Sequence, residues 1–378
     1  YSANKQNIGR YVELLEKIRA KIKKDGHLTF DNYMDICLYY PHLGYYNNNN
    51  ISFNQKNSDF ITAPEISYIY TQSIINFYLQ CKKYKKIENV LEFGAGSGEM
   101  AYNFLKNIEE NNIPKKYYIL EKSIYLKEQQ EKKIKLLPKK YRSIVEWVDE
   151  VKDIENVFLL ANEVLDAIPS KILFKENNIF YEKVLKTKGN QLYFSKIDCS
   201  NHLLEKIKNI ESRIVSSIPN NYIFEINTLY EKFLSDVISG AKNFIFLIID
   251  YGYNEKELYH PERRKGTIQF YKNHKKISYP LVDQGNFDIS ISVDFSRINR
   301  ICNSKKLQLI SYTTQTEFLL NTNILENSSK ILDTNEKSNI LKTLLFPTDM
   351  GENFKMMILC DDIDTNFKLS FKDYRHKL

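Results

Sequence analysis

Apolar residues along this chain fall into two patterns, short unbroken runs and stripes at helical spacing, and the two alternate through much of its length. Val90, Leu91 and Phe93 form one run, and Met100, Ala101, Phe104, Leu105 and Ile108 recur behind it at the period of a helix. Further runs over residues 117–120, 144–148, 157–161 and 244–249 predict strands of a parallel sheet in an α/β fold, and late strands are expected over 307–312 and 355–360. Between the fourth and fifth runs, residues 171–174, 179–184 and 191–197 alternate apolar and polar like antiparallel strands. Asn177-Asn178 and Gly189-Asn190 serve as their turns, and helical stretches follow over 202–214 and 228–238. Upstream, Ile8, Val12, Leu15, Ile18 and Ile22 form a helical stripe closed by Asp25-Gly26, and Phe30, Met34 and Leu38 share a face of a second helix stopped by Pro41. Residues 59–67 read as an extended segment entering a helix that continues through Tyr78, with Thr62 as N-cap and Pro64 early in the first turn. The expected organisation is a helical cap region over 1–85, a core over 86–169 and 241–378, and an inserted hairpin sheet with helices over 170–240.

The junction after Phe93 organises this pattern. Gly94, Gly96 and Gly98 stand between the first strand and its helix, where the backbone can turn sharply and approach a ligand closely. The second strand ends on Glu121, a carboxylate placed to accept hydrogen bonds from both hydroxyls of a ribose. A dinucleotide fingerprint would need glycine where this chain has Glu99, and an anion beside a pyrophosphate is unfavourable. Glu92 followed by G-x-G-x-G resembles instead motif I of S-adenosylmethionine-dependent methyltransferases. That cofactor has a positive sulfonium and no phosphate, so it tolerates neighbouring carboxylates.

Composition narrows the classes further. The 378 residues are 43% hydrophobic and 27% charged, the balance of a globular chain, and no apolar run approaches the length of a membrane span. A net charge of +7 is modest for this length, and lysine runs such as 82–86 read as solvated surface, so nucleic-acid binding is not expected. The five cysteines are widely spaced without a C-x-x-C pair, which argues against a zinc site or a disulfide framework and for a reducing compartment. No metal is expected. The chain opens on Tyr1 rather than Met, leaving room for a removed targeting segment, and a bacterial cytoplasmic location is expected with the mitochondrial matrix as the alternative.

Candidate chemistry collects at the carboxyl ends of the runs, the edge where open parallel sheets bind ligands. Asn162, Glu163 and Asp166 follow the fourth run, with helix capping as their structural alternative. Asp149 follows the third run and could accept a hydrogen bond from an adenine amino group. Asp250 ends the fifth on the same edge, ahead of a polar loop over 255–266. His274 is the histidine singled out for proton transfer, with a solvated or hydrogen-bonding loop histidine as the favoured structural alternative. No Ser-His-Asp set, P-loop or histidine-rich metal spacing is present.

Seven stretches in order resemble the MidA-like methyltransferases, whose mitochondrial members are arginine methyltransferases needed for assembly of respiratory complex I. They are residues 39–46 (YYPHLGYY), 59–67 (DFITAPEIS), 92–98 (EFGAGSG), 162–169 (NEVLDAIP), 250–252 (DYG), 266–271 (GTIQFY) with His274, and 293–295 (VDF). The resemblance implies a class I, Rossmann-like methyltransferase sheet with an N-terminal helical cap and an inserted α+β substrate-side region. It implies that Gly94, Gly96, Gly98 and Glu121 hold S-adenosylmethionine, with residues 62–65 packing over it, and that the acceptor is a protein, as in a respiratory complex subunit. A homodimer is compatible with it. Two positions depart from the family: Ser58 replaces a glycine, and Ser292 replaces a histidine in a region expected to face the substrate.

If the acceptor is an arginine, its protonated guanidinium needs carboxylates to orient it, and Glu163, Asp166 and Glu65 are the candidates. The rival reading is a non-catalytic assembly chaperone that keeps the cofactor fold and binds a partner subunit.

Overall fold

A computed structural model describes residues 2–48, 62–214, 216–272, 275–362, 367, 369 and 372–378. Two compact units divide the chain, one of residues 61–165, 231–252 and 295–378, the other of residues 1–60, 166–230 and 253–294.

The first of these is built on a mixed sheet. Its strands are β1 (Asn89–Phe93), β2 (Lys116–Leu120), β3 (Val145–Val148), β4 (Ile154–Asn162), β5 (Ala241–Tyr253), β6 (Gln308–Thr314) and β7 (Phe354–Cys360). They lie in the order β6-β7-β5-β4-β1-β2-β3. The pairs β1–β2, β1–β4, β2–β3 and β4–β5 are parallel. Strand β7 runs antiparallel to both β5 and β6, because the chain returning from β6 inserts between them. Every apolar run expected to be a strand of this sheet is one, but the parallel pattern ends at β5. Val90, Leu91, Phe158 to Ala161 and Phe244 to Ile249 are buried, as expected of central strands covered on both faces, which therefore read as unbroken apolar runs.

Strand order reverses between β1 and β4, so the chain leaves these neighbouring strands in opposite directions, the switch point at whose carboxyl ends open α/β sheets bind ligands. Helix α1 (Tyr68–Cys81) packs Phe77 against Phe158 with ring centroids 6.0 Å apart and Tyr78 against Phe104 at 5.3 Å. Each such buried aromatic contributes about 1.5 to 3 kcal/mol. Helix α2 (Glu99–Asn107) follows the glycine turn, and α3 (Ile124–Ile134) is capped by Ser123, whose Oγ accepts from Leu126 N at 3.0 Å. The helix expected to run unbroken from Pro64 to Tyr78 is interrupted. Ser67 is extended at φ −166° and ψ 146°, ending the short turn Ala63–Ile66 and capping α1 by accepting from Ile69 N at 3.4 Å.

The other unit holds an antiparallel sheet in the order Leu28–Thr29, Ile179–Lys188, Lys171–Glu176, Tyr222–Ile226, with Gln191–Asp198 also paired to Ile179–Lys188. Three of these strands match the alternating segments of the sequence. Helix Asn201–Glu211 buries Leu203, Ile207 and Ile210 in a cluster with Leu173, Phe224 and Ile226. Helix Phe30–Tyr39 buries Phe30, Met34 and Leu38 as the spacing predicts. A smaller sheet pairs Gln269–Lys272 with Lys275–Lys276 and Asp288–Ser290.

These units cut the chain elsewhere than the boundaries 85/86, 169/170 and 240/241. The alternating segments share their unit with residues 1–60 and 253–294, since Leu28–Thr29 completes their sheet. Helix α1 belongs with the mixed sheet because its aromatics are buried against it.

Candidate active site

The glycine turn after β1 adopts backbone conformations open to few other residues, with φ of 57° at Gly94, 53° at Gly96 and 81° at Gly98. Gly94 N donates to Leu120 O at 2.9 Å, tying the turn to the end of β2. At Gly98 a Cβ would lie 3.2 Å from the Cα of Gln130, so glycine is what lets α3 pack this closely on the loop.

Glu121, next after β2, is fixed at both oxygens. Oε1 accepts from Ser123 N at 2.9 Å and Oε2 from Gln130 Nε2 at 2.9 Å. The same Gln130 nitrogen donates to Gly96 O at 2.9 Å, and Gln130 Oε1 accepts from Trp147 Nε1 at 3.0 Å. Burial raises the affinity of Glu121 for a proton, against the opposing pull of these donors. Glu92, 3% exposed in β1, accepts from the Tyr117 hydroxyl at 2.8 Å, and burial pushes its pKa up to about 7, with the Glu121 charge adding to the rise.

A second set of acids meets at the turn Ala63–Ile66. Ala63 N donates to Glu163 Oε1 at 3.3 Å, and the Ser97 hydroxyl of the glycine loop donates to Glu65 Oε1. Burial pushes Glu65 above the usual carboxylate range. Thr62 occupies the N-cap position without a capping side-chain bond, and Pro64 sits in the first turn. Asn162, at the end of β4, accepts from the Tyr70 hydroxyl at 2.8 Å and donates to Glu163 Oε1 at 3.3 Å.

Glu163 itself has φ 56°, rare for a side chain of this size, and its N donates to Ile249 O at 2.8 Å. Asp250, fully buried in β5, supports this strained turn: Oδ2 accepts from Val164 N at 3.2 Å and Leu165 N at 2.8 Å, and Oδ1 from Tyr251 N at 2.9 Å. No helix follows β4, so Asn162, Glu163 and Asp166 are not helix caps. Asp250, on the ligand edge by sequence, spends its carboxylate on backbone N–H groups.

The remaining candidates fall elsewhere. Asp166 lies in the other compact unit, where its backbone oxygen accepts from Ile291 N at 3.0 Å. There its charge, together with burial and Asp288, raises the Tyr46 pKa. Asp149 is exposed beyond β3. His274 lies outside the described residues. The five cysteines are buried and free. Among the described residues no group of three or more His, Cys, Asp or Glu could hold a metal, and no helix is long and apolar enough to cross a membrane.

This donor set fits S-adenosylmethionine. The turn is pinched by α3 at Gly98, where a Cβ would meet Gln130, and three acids, Glu65, Glu92 and Glu121, lie on or next to it in surroundings that raise their pKa values. Lys133 of α3 is paired with Glu99. Such a cradle suits a cationic nucleoside and disfavours a pyrophosphate.

The profile of a family of S-adenosyl-L-methionine-dependent methyltransferases matches residues 71–313, well over half of the chain. This chain belongs to that family. The methyltransferase is 24% identical over 372 residues to a protein of Caenorhabditis elegans named protein arginine methyltransferase NDUFAF7 homolog, mitochondrial, covering 90% of this chain and 84% of that protein. It is 25% identical to protein arginine methyltransferase NDUFAF7, mitochondrial, of Bos taurus, with 92% and 83% covered. A crystal structure of a Burkholderia thailandensis protein bound to S-adenosyl-homocysteine superposes with a TM-score of 0.91 at 26% identity, covering 99% of this chain and 98% of that one. The cofactor of this methyltransferase is S-adenosylmethionine, as the glycine spacing and Glu121 predict.

Four residues of the arrangement were not singled out by sequence reasoning: Tyr70, Ser97, Gln130 and Trp147. Each is a polar group on an otherwise ordinary helix, loop or strand, and only their shared partners mark them. Glu92, noted as the start of the glycine motif, is a further buried acid beside it.

Proposed function

We propose that this methyltransferase methylates an arginine side chain of a protein acceptor, as the names of its relatives suggest, with a respiratory complex subunit as the acceptor that the family resemblance implies. Those names carry the word mitochondrial, which supports the mitochondrial location given above as the alternative. The observation that carries the proposal is the meeting of Glu65 and Glu163, 98 positions apart in sequence, at the turn Ala63–Ile66 beside the glycine loop. Two carboxylates at one short turn are what a planar, permanently charged guanidinium needs to be held and polarised.

In this reading Gly94, Gly96, Gly98 and Glu121 hold the cofactor, with Thr62, Pro64, Asp149 and Asn162 around it, and the bound cofactor supplies an already activated methyl group. The chain's own task is then orientation and exclusion of water, and well-aligned geometry is worth roughly 7 to 11 kcal/mol. Glu163, held by a strained backbone and by Ala63 N, orients the acceptor guanidinium. Each new N–C bond releases one guanidinium proton, and Glu65, whose proton affinity is raised by burial, is suited to receive it. Asp166 is the third acid proposed for the acceptor, and His274 the group proposed to pass the proton to solvent. The inserted region over residues 170–240 is proposed to recognise the acceptor protein.

The test pairs binding with transfer. Glu163→Gln and Glu65→Gln should leave S-adenosylhomocysteine affinity within about twofold and lower methyl transfer by about 10²-fold or more. Loss of S-adenosylhomocysteine binding in Glu163→Gln would reassign that residue to the cofactor. Unchanged transfer in both variants would overturn the roles given to these acids.

A further inference from the structure

We propose that Gln130 is a positioning residue for the cofactor's ribose, making the glycine loop and Glu121 a single rigid grip. It sits on α3, a largely polar helix, yet is fully buried, an unusual place for a neutral amide without a structural or functional reason.

Its side chain joins three elements. Nε2 donates both to Gly96 O in the glycine loop and to Glu121 Oε2 after β2, each at 2.9 Å, and Oε1 accepts from Trp147 Nε1 on β3 at 3.0 Å. An amide has two N–H donors and one carbonyl acceptor, and these contacts use all three functions. The Trp147 bond also fixes which end of the amide is nitrogen. A donor-only indole must face the oxygen, which turns the NH2 toward the loop and the acid.

The rest of Gln130 is held as firmly. Its Cα, Cβ and Cγ lie 3.2 to 3.4 Å from where a Cβ on Gly98 would be, so the loop's third glycine and Gln130 are packed as a matched pair. Glu121 is thereby bound at one oxygen by Ser123 N and at the other by Gln130, which sets the plane of its carboxylate. A carboxylate locked in one plane can accept from two vicinal hydroxyls without paying to be ordered when the ligand arrives.

This inference rests on the reading of Glu121 as the ribose acid, and the test separates the two. Calorimetry on the full chain compares S-adenosylhomocysteine with its 2′-deoxy analogue in four proteins: wild type, Glu121→Ala, Gln130→Leu and Gln130→Glu. Wild type should prefer the ribose form by about tenfold or more, the scale of one or two well-made hydrogen bonds. Gln130→Glu keeps an oxygen for Trp147 but removes both donations, so it serves where Gln130→Leu fails to fold. Both Gln130 variants should reduce the preference to about twofold or less, with the deoxy analogue bound nearly as in wild type. A merely structural role would weaken both ligands equally and leave the ratio intact, which would overturn the proposal. A ratio unchanged by Glu121→Ala would instead overturn the assignment of Glu121. A ratio lost in Glu121→Ala but kept in both Gln130 variants would sink the role of Gln130 alone.

Discussion

The Tyr117 hydroxyl donates to the buried carboxyl of Glu92 at 2.8 Å, joining two neighbouring strands of the mixed sheet just before the glycine turn. Burial, with the charge of Glu121 nearby, raises the Glu92 pKa to about 7. In the unfolded chain the group titrates near the ordinary Glu value of about 4.3.

Between those values the folded protein holds a proton that the unfolded chain has lost. The contribution of Glu92 to stability is therefore complete below the unfolded pKa and is lost as pH rises through about 7. It amounts to at most about 4 kcal/mol, at about 1.4 kcal/mol for each pH unit between the two values. Urea unfolding midpoints measured from pH 4.5 to 8 should show this decline, and Glu92→Gln should flatten it. Equal slopes in the two proteins would contradict the assignment.

Asp250 accepts from three backbone N–H groups, two of them in the turn that carries Glu163. Asp250→Ala should cost about 3 to 5 kcal/mol, because the freed donors remain buried. Denaturant unfolding reads that cost, and methyl transfer should fall by more than S-adenosylhomocysteine affinity does. Wild-type stability in this variant would show that the turn holds itself.

Gly98 combines a φ of 81° with contact against Gln130. Gly98→Ala should destabilise the fold by about 1 to 3 kcal/mol and weaken S-adenosylhomocysteine binding, since α3 must shift outward and draw Gln130 off Glu121. A change at Gly189, also at positive φ but with open space around it, should cost less and leave binding unchanged. Comparable binding losses at the two glycines would contradict the packing argument.

The sheet was legible in the sequence because central strands buried on both faces must be apolar at every position, as in Phe158 to Ala161. The glycine turn and Glu121 were legible for a related reason, since few residue types can occupy a left-handed turn followed by an acid at a strand end. What escaped was set by distant partners. Leu28–Thr29 is too short to show a period, and it is a strand only because Val184 and Leu185 pair with it. The break at Ser67 sits inside a stretch whose spacing fits one helix. Gln130 looks like a surface residue among Glu128, Glu131 and Lys132, and its burial follows from Gly98 coming within reach. Glu163 carried no sign of its backbone strain, which depends on Asp250 87 positions later.

The most direct test of the central claim is to follow an isotopically labelled methyl group from S-adenosylmethionine into protein and map it by mass spectrometry, comparing wild type with Glu163→Gln. The account predicts label on arginine nitrogen in a protein acceptor with wild type, and little with the variant. Label on another residue type, or cofactor binding with no transfer to any protein, would contradict it.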